Sequence, residues 1–231
     1  MGFIYFSYGM TKSASSFVYQ LEEQVFKLSK YDLMKVPPEI RGNRAPENYV
    51  EPITDEKIQE ILNWLPENAV TVVKTHGAPS KLACELVNQG KAFASATFRD
   101  PRDIAVSLVD HGERSRQKGI ADFANFIQPI DALTEIKHQI NRLDSWIKLD
   151  GCQSFSYELI RSKPEDVVSA LLNQLEFFDI KVSEVLAPFK DTANIIHYNV
   201  GGSGRHKDKM STEEIEKFAS EFESFIAMCE K

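Results

Sequence analysis

The sequence has no long apolar run, few cysteines and no excess of basic residues. None of its hydrophobic stretches approaches the roughly 20 residues that a membrane-spanning helix needs, so we expect no membrane partner. The three cysteines, Cys84, Cys152 and Cys229, are widely separated and lack the spacing of a metal site or a redox pair. We interpret them as reduced thiols and predict a cytoplasmic protein.

The net charge is −7, from 34 acidic and 27 basic residues. Because a general nucleic-acid-binding protein carries a broad basic surface, this charge argues against a nucleic-acid partner. It does not exclude a small anionic ligand, which responds to local charge and to backbone N–H groups. Asp, His and Cys residues also lack metal-ligand spacing, and we predict chemistry that needs no metal.

The chain lacks internal repeats, low-complexity tracts and a recognisable interdomain linker, which predicts a single domain over residues 1–231. Strand-like apolar runs alternate with helix-like segments, as is typical of a parallel sheet flanked by helices. The predicted fold class is therefore α/β, with three α/β/α layers around a central parallel sheet. The predicted strands are Phe3–Tyr8, Val70–Thr75, Lys91–Phe98 and Gln153–Tyr157.

Helices are predicted where apolar residues recur with helical spacing and where start signals occur. They are Ser15–Leu28, Asp55–Leu65, Ser80–Gln89, Arg102–Asp110, Ile130–Leu149, Pro164–Leu175 and Thr212–Met228. Ser211 or Thr212 is the expected N-cap of the last one. The segments Pro37–Pro52 and Asn199–Met210 are predicted loops. The helix over 130–149 is amphipathic, which suits packing on the sheet and leaves homodimerisation open.

The segment Gly9-Met10-Thr11-Lys12-Ser13-Ala14-Ser15-Ser16 lies between the first predicted strand and helix. A turn there directs backbone N–H groups and a helix N-terminus at one point, which makes an anion site. Lys12 adds a charge and the serines add donors. A nucleoside-triphosphate P-loop needs a Gly directly before this Lys, and Thr11 stands there instead. A serine-rich turn that only caps the helix is the alternative.

A second basic segment, from Thr97 to Ser107, ends one predicted strand and begins a helix. Arg99 lies at the carboxyl end of the strand, where α/β sheets bind ligands, and Pro101 suits a first helical turn. Ser107 follows about two helical turns later and could present its hydroxyl on the same side. A solvated, charged helix start is the alternative, but two strand-end anion sites in one chain make it less attractive.

Together these segments resemble the sulfotransferases that use 3′-phosphoadenosine-5′-phosphosulfate (PAPS). Lys12–Phe17 resembles the family's 5′-phosphosulfate loop, K-S-G-T-T-W. Arg99–Ser107 resembles its 3′-phosphate motif, R-D-P-R-D-x-x-x-S, over its whole length. Lys74-Thr75-His76 resembles the family's K-T-H at a strand end. Tyr157-Glu158, followed by a proline, resembles the segment that helps to hold the adenine, and Gly201–Lys207 resembles the late glycine-rich loop.

The resemblance implies a P-loop-like sulfotransferase fold. It also implies an enzyme that moves a sulfuryl group from PAPS to a hydroxyl or amine of a small-molecule or glycan acceptor. The desulfated nucleotide, 3′-phosphoadenosine-5′-phosphate (PAP), is then released. The implied catalytic residues are His76 as general base, Lys12 at the leaving nucleotide and Lys74 at the sulfuryl oxygens. The implied nucleotide-binding residues are Lys12, Ser13, Ala14, Ser15, Ser16, Phe17, Arg99, Ser107, Tyr157, Gly201, Gly202, Gly204 and Lys207.

Three departures from the family pattern concern the size, the stacking face or the charge at the site. Ala14 replaces a glycine and Phe17 replaces a tryptophan, and both substitutes keep the local size or the stacking face. Asn199-Val200 stand where many relatives have Arg-Lys, so the charge is expected from Arg205–Lys207 instead.

Several alternatives remain open from the sequence. His111 is a competing general base, and Tyr157 is equally suited to a core position. For the whole chain, the alternatives are a P-loop kinase for a small metabolite, a nucleotide-binding module without turnover, and a scaffold that assembles through the helix over 130–149.

Overall fold

The computed structural model describes residues 2–42, 47–196 and 202–230. Its centre is a five-stranded sheet in the order β2-β3-β1-β4-β5, in which all neighbours are parallel. The strands are β1 (Phe3–Gly9), β2 (Asp32–Leu33), β3 (Ala69–Thr75), β4 (Phe93–Phe98) and β5 (Cys152–Ser156). The central strands β1, β3 and β4 are almost wholly buried, as expected for parallel strands covered on both faces.

The register brings the carboxyl ends of the three central strands to one edge. Tyr8 pairs with Thr75 on one side of β1, and Gly9 pairs with Thr97 on the other. The chain leaves β1 towards β2 and β3 on one side, and β4 and β5 lie on the other side. This reversal of strand order opens a crevice beyond the end of β1, which is where open α/β sheets bind ligands.

Helices surround the sheet. They are α1 (Ser15–Leu28), α2 (Pro38–Arg41), α3 (Asp55–Trp64), α4 (Lys81–Asn88), α5 (Pro101–Gln117), α6 (Leu133–Ile147), α7 (Tyr157–Ser162), α8 (Pro164–Gln174), α9 (Val182–Leu186), α10 (His206–Lys209), α11 (Thr212–Glu221) and α12 (Glu223–Cys229). Short 3₁₀ turns cover Pro129–Ala132, Ala187–Lys190 and Thr192–Asn194. Within the described ranges, none of the helices is both long and apolar enough to cross a membrane.

The two faces of the sheet pack against separate hydrophobic clusters. Phe6 and Tyr8 of β1 point into one cluster with Trp146 of α6, whereas Tyr5 points into the other with Phe26 of α1. This alternation follows the two-residue period of a strand. Helices α3, α4, α5, α6, α11 and α12 supply the first cluster, and α1, α7, α8 and α9 supply the second. The predicted three-layer α/β/α fold is confirmed.

The predicted strands and long helices are present with small shifts at their ends, and two helix predictions were wrong in extent. Helix α5 continues to Gln117 instead of ending at Asp110, and Gly112 therefore lies inside the helix. A Cβ at Gly112 would lie 2.4 Å from the Phe123 carbonyl oxygen and 2.8 Å from that of Phe126. The glycine therefore serves the close approach of the next loop and does not end the helix.

The C-terminal helix, predicted as one, is two. It breaks at Phe222, where φ is −125° and ψ is 27°, and Ser211 is its N-cap. Both predicted loops contain a short helix, α2 in the first and α10 in the second. A single turn of helix carries too little periodic pattern to be recognised from sequence.

Candidate active site

The loop between β1 and α1 is a tight turn whose shape depends on close contacts. A Cβ on Gly9 would lie 2.3 Å from the Ser15 Cβ and 2.4 Å from the Thr97 Oγ1, so only glycine fits there. The Ser13 hydroxyl donates to the Met10 carbonyl oxygen at 2.6 Å and lies 2.7 Å from the Thr97 hydroxyl. These contacts fix the loop against the end of β4.

Two residues of this loop have left-handed backbone conformations. Both Lys12 and Ala14 have a φ of 65°, and Ala14 is the N-cap of α1. The fourteen-residue helix therefore begins at Ser15, directly at the carboxyl edge of the sheet. Its N-terminal dipole and the first-turn N–H groups favour an anion at this point.

The Lys12 side chain contacts residues that follow in α5 and in the loop after it. Its ammonium group contacts Nδ1 of His111 and lies 5.0 Å from the centre of the Phe123 ring. Burial lowers the pKa of Lys12 to about 8, although the nearby Asp122 carboxylate opposes that shift. Lys12 thus carries its charge at neutral pH in a partly desolvated setting.

Both ring nitrogens of His111 are engaged. Nδ1 accepts from Lys12, and Nε2 lies 3.2 Å from the Asp122 carboxylate. Burial, and then the charge on Lys12, lower the pKa of His111 below its ordinary value. The imidazole is therefore a neutral link between Lys12 and Asp122.

Lys74 lies at the end of β3 and is almost completely buried. Its ammonium group donates to the Ser16 hydroxyl at 2.7 Å and lies 3.7 Å from the Glu47 carboxylate. Burial lowers the pKa of Lys74, and Glu47 opposes that shift. The contact with Ser16 joins the K-T-H segment to the first turn of α1.

His76 follows directly after β3. Its Nδ1 lies 2.5 Å from the Gly9 carbonyl oxygen, and its ring centre lies 5.7 Å from that of Tyr49. Burial, reinforced by the charges on Lys74 and Lys12, lowers the pKa of His76 to about 4. The imidazole is thus neutral at pH 7. Because a carbonyl oxygen can only accept, Nδ1 carries the proton and Nε2 carries the lone pair.

Arg99 lies at the end of β4, with only 3% of its surface exposed. Its guanidinium donates to the carbonyl oxygens of Lys12 at 3.2 Å and Gly202 at 2.8 Å. It also stacks on the Tyr157 ring at 3.9 Å. Its Nε is buried and has no hydrogen-bond partner among the described residues. A buried donor without an acceptor is costly, which points to a ligand acceptor at this position.

Tyr157 and Ser107 are the other two predicted residues of the 3′-phosphate and adenine region. Tyr157 begins α7, directly after β5, and its ring lies against the guanidinium of Arg99. Ser107 is buried on α5, the helix that starts just after Arg99. In the predicted 3′-phosphate motif, Arg99 therefore lies at the end of β4 and Ser107 lies on the helix that follows it.

Asp103 is the residue of this region that the sequence prediction missed. Its carboxylate accepts from the Gly204 backbone N–H at 2.7 Å and from the His206 backbone N–H at 3.1 Å. The His206 Nδ1 lies 2.8 Å away, and the Arg99 guanidinium 3.5 Å away. Burial alone would raise its pKa, but these hydrogen bonds and the charge on Arg99 hold the pKa below its ordinary value. The second Asp of the R-D-P-R-D motif was the available signal.

The remaining predicted residues differ in how closely they join the site. Gly202 and Gly204 contact Arg99 and Asp103 through their backbones, whereas Lys207 is exposed on α10. Phe17 is partly buried in the first turns of α1, with its ring 5.4 Å from that of Phe189. Gly201 lies outside the described residues.

Comparison with protein-family models finds no match, and neither does a search of the curated proteins. Solved structures do match. Retinol dehydratase in complex with retinol and PAP matches with a TM-score of 0.58 at 14% identity, over 96% of this chain and 80% of that chain. A mouse sulfotransferase, SULT7A1, in complex with PAP matches with a TM-score of 0.59 at 12% identity, over 96% and 83%.

A second retinol dehydratase structure, with androsterone and PAP, matches with a TM-score of 0.55 at 13% identity, over 96% and 80%. These matches cover nearly the whole chain and share its arrangement of strands and helices. At such low identities the likeness concerns the course of the backbone. The chain therefore has the sulfotransferase fold.

Proposed function

We propose that this protein is a sulfotransferase that transfers a sulfuryl group from PAPS to a hydroxyl or amine of an acceptor. One observation carries the proposal. Three buried or partly buried cations, Lys12, Lys74 and Arg99, meet at the carboxyl edge of three adjacent parallel strands, beside the neutral histidine His76. Proteins with the matching fold bind PAP in three solved structures. This supports an adenine nucleotide with phosphate groups at both the 3′ and the 5′ positions as the ligand here.

The 3′-phosphate of the nucleotide is assigned to Arg99 and Ser107. The buried Nε of Arg99 has no partner among the described residues, and a phosphate oxygen would supply the acceptor. Ser107 adds a hydroxyl from α5. The 3′-phosphate is what distinguishes PAPS from ordinary adenine nucleotides, so this contact would set the specificity for the donor.

The 5′-phosphosulfate is assigned to the loop over residues 12–17. The N-terminus of α1 and the Ser13–Ser16 segment offer donors in fixed positions, and fixed donors stabilise developing charge without reorganisation. Lys12 within the loop and Lys74, which donates to the Ser16 hydroxyl, add positive charge. Phe17 offers an aromatic face for the adenine, and Tyr157 a second one beside Arg99.

In the proposed reaction, the acceptor oxygen or nitrogen attacks the sulfur in line with the departing nucleotide. A new bond forms between the acceptor and sulfur, while the bond from sulfur to the bridging oxygen of the 5′-phosphate breaks. Nε2 of His76 takes the acceptor proton. The electron pair of the broken bond stays on PAP, and Lys12 offsets the charge that develops there. Lys74 is assigned to the sulfuryl oxygens.

His76 suits the role of general base better than His111. Nε2 of His76 carries a lone pair because Nδ1 is held by the Gly9 carbonyl oxygen. In His111, by contrast, Nδ1 is occupied by Lys12 and Nε2 by Asp122. We therefore assign His111 to the support of Lys12.

The acceptor is proposed to approach from the side of His76 that faces Tyr49. The Tyr49 hydroxyl donates to the Glu51 carboxylate, and Glu51 is exposed. Partial desolvation of its carboxyl group raises the pKa of Glu51. The described surface here offers an aromatic ring and polar groups, which suits a small-molecule or glycan acceptor. Retinol and androsterone are the molecules seen with the matching retinol dehydratase.

The alternative functional hypotheses predict different ligand binding and turnover. A P-loop kinase would bind ATP in the presence of Mg²⁺, and its motif needs a glycine where Thr11 stands. A nucleotide-binding module without turnover would bind PAP but show no transfer. The contacts of Lys74 with Ser16 and of His76 with Gly9 put both side chains beside the proposed 5′-phosphosulfate loop, which favours turnover.

The decisive experiment is calorimetric titration with PAP, with ADP and ATP as controls, without metal. We expect PAP to bind and the controls to bind much more weakly. Arg99→Ala should weaken PAP binding by about 10- to 100-fold, since a charge-assisted contact to a buried phosphate is lost. Arg102→Ala is the matched control: its guanidinium pairs with Asp100 and Glu230, so it should leave PAP binding nearly unchanged. Binding of ATP with Mg²⁺ but not of PAP would favour the kinase.

Transfer itself is tested by an acceptor screen with PAPS, followed as PAP release. With any acceptor that responds, His76→Gln should reduce kcat by about 10²- to 10⁴-fold, the usual contribution of a general base. PAP affinity should stay close to that of the unaltered protein. Retention of kcat in His76→Gln, with loss in His111→Gln, would reverse the assignment of the base.

A further inference from the structure

Asp103 occupies a place where a carboxylate is unexpected. It is 1% exposed and lies beside Arg99, the residue assigned to the 3′-phosphate. An uncompensated negative charge next to a phosphate would oppose binding, and a buried carboxylate is costly in its own right. Its presence therefore needs a reason other than ligand contact.

The contacts of Asp103 supply that reason, because they saturate the carboxylate from a distant part of the chain. Oδ2 accepts the Gly204 backbone N–H at 2.7 Å, and Oδ1 accepts the His206 backbone N–H at 3.1 Å and lies 2.8 Å from the His206 Nδ1. Three of its four contacts thus come from the late glycine-rich loop, about a hundred residues further along the chain. The fourth, to Arg99, is the longest at 3.5 Å.

The same loop in turn holds Arg99. The Gly202 carbonyl oxygen accepts from the Arg99 guanidinium at 2.8 Å, and the Lys12 carbonyl oxygen accepts from it at 3.2 Å. Arg99 is therefore oriented mainly by neutral carbonyl oxygens rather than by a tight pair with Asp103. Its positive charge stays available to an anion, while the loop that orients it is anchored by Asp103.

We propose that Asp103 is a positioning residue, which fixes the late glycine-rich loop and, through Gly202, the guanidinium of Arg99 in a preformed grip for the 3′-phosphate. This inference rests on the proposed function, because it assumes that the nucleotide carries a 3′-phosphate. It assigns to Asp103 no contact with the nucleotide. Preformed positioning lowers the ordering cost of binding, so its loss weakens the contact of the 3′-phosphate in particular.

The test compares PAP with adenosine 5′-monophosphate, which lacks the 3′-phosphate, by calorimetry. The ratio of the two affinities measures what the 3′-phosphate contributes. Asp103→Asn keeps the size of the side chain but presents an amide N–H₂ to donors of the loop. We expect it to lower the ratio by about tenfold or more and to leave the affinity for adenosine 5′-monophosphate within about threefold.

A second test changes His206 and leaves Asp103 unaltered. His206→Ala removes the ring contact and keeps the backbone N–H, so we expect the ratio to fall by about threefold. His206→Asn restores a side-chain donor and should recover most of the ratio. If Asp103→Asn does not fold, as judged by circular dichroism, the His206 pair decides the question.

Asp55→Asn is the matched control. Asp55 lies in the first turn of α3 and accepts the Leu82 backbone N–H at 2.8 Å, so it is another aspartate that holds a backbone N–H, on a different helix from Asp103. In Asp55→Asn, the ratio of the affinities for PAP and adenosine 5′-monophosphate should not change. An unchanged ratio in both Asp103→Asn and His206→Ala, or an equal loss for both nucleotides, would overturn the positioning role. If the unaltered protein itself bound both nucleotides equally, the proposed 3′-phosphate site would fail, and this inference with it.

Discussion

At the scale of single residues, the three cations of the site differ in what lies against them. Lys74 has the Glu47 carboxylate at 3.7 Å, and Arg99 has two backbone carbonyl oxygens and Asp103. Lys12 instead has the neutral ring of His111 and the face of Phe123. Burial without a directly contacting carboxylate lowers the pKa of Lys12 to about 8. Its charge is therefore lost close to the physiological range.

This difference predicts how PAP binding depends on pH. An anion binds the protonated form of Lys12 more strongly, so affinity is full well below about pH 8 and falls as pH rises through that value. Titrations with PAP from about pH 7 to about pH 9.5 should show a decline of about tenfold. Lys12→Arg should remove the decline, because a guanidinium stays charged throughout. The same decline in Lys12→Arg would show that another group titrates.

At the scale of elements, the entry into α1 stores strain in Ala14. Its φ of 65° and ψ of 21° lie in the left-handed region, where a Cβ is crowded. The family motif has glycine at this position, and glycine adopts this conformation freely. The helix still begins at Ser15 because the Ser13 contacts with Met10 and Thr97 hold the loop.

Ala14→Gly should therefore stabilise the protein, by about 0.5–1 kcal/mol, because it removes the left-handed strain and the gain exceeds the entropy cost of glycine. Urea unfolding followed by circular dichroism measures the change. Ala83→Gly is the control, since Ala83 is buried inside α4 and a glycine there should destabilise by about 1 kcal/mol. If Ala14→Gly lost as much stability as Ala83→Gly, the hypothesis that the backbone of Ala14 is strained would be wrong.

At the scale of the whole molecule, a buried carboxyl group joins α1 to the centre of the sheet. Glu22 is 1% exposed, accepts from the Ser95 hydroxyl of β4, and leaves Oε2 without a partner among the described residues. Burial raises its pKa to about 8, and the hydroxyls of Ser7 and Ser95 oppose that shift. The folded protein thus holds a proton here that the unfolded chain releases near its ordinary pKa of 4.5.

The folding free energy should depend on pH accordingly. Because the folded-state pKa is raised, the stabilisation is full below about pH 4.5 and is lost as pH rises through about 8. Glu22→Gln mimics the protonated form, so it should be more stable than the unaltered protein at about pH 9, by about 2 kcal/mol or more. Urea unfolding at about pH 5 and about pH 9 measures this.

Glu85→Gln serves as the control for that comparison. Glu85 is exposed and, among the described residues, its ion-pair partner is Lys81 at 3.8 Å, so its replacement should change the free energy of unfolding by less than about 0.5 kcal/mol at either pH. If Glu22→Gln and the unaltered protein lost stability in parallel between the two pH values, Glu22 would not carry the proton.

The features that could be predicted from the sequence are those that depend on local pattern. Buried parallel strands appear as continuous apolar runs, helix starts appear as capping residues, and the Lys12 and Arg99 segments appear as motifs at strand ends. These features need only a few neighbouring residues to be recognisable. The layered fold and the edge of the sheet that carries the Lys12 and Arg99 segments followed from them, and the resemblance to the sulfotransferases supplied the other candidate residues.

Contacts between side chains that are far apart in sequence could not be predicted and became visible in the folded molecule. Three such contacts join residues that share no local pattern. Lys12 contacts His111, Asp103 binds Gly204 and His206, and the loop with Phe123 and Phe126 packs against Gly112. They depend on strand order and on the direction in which each helix leaves the sheet. A periodic pattern specifies which face of an element is buried, but the partner on that face is set by the packing of the whole molecule.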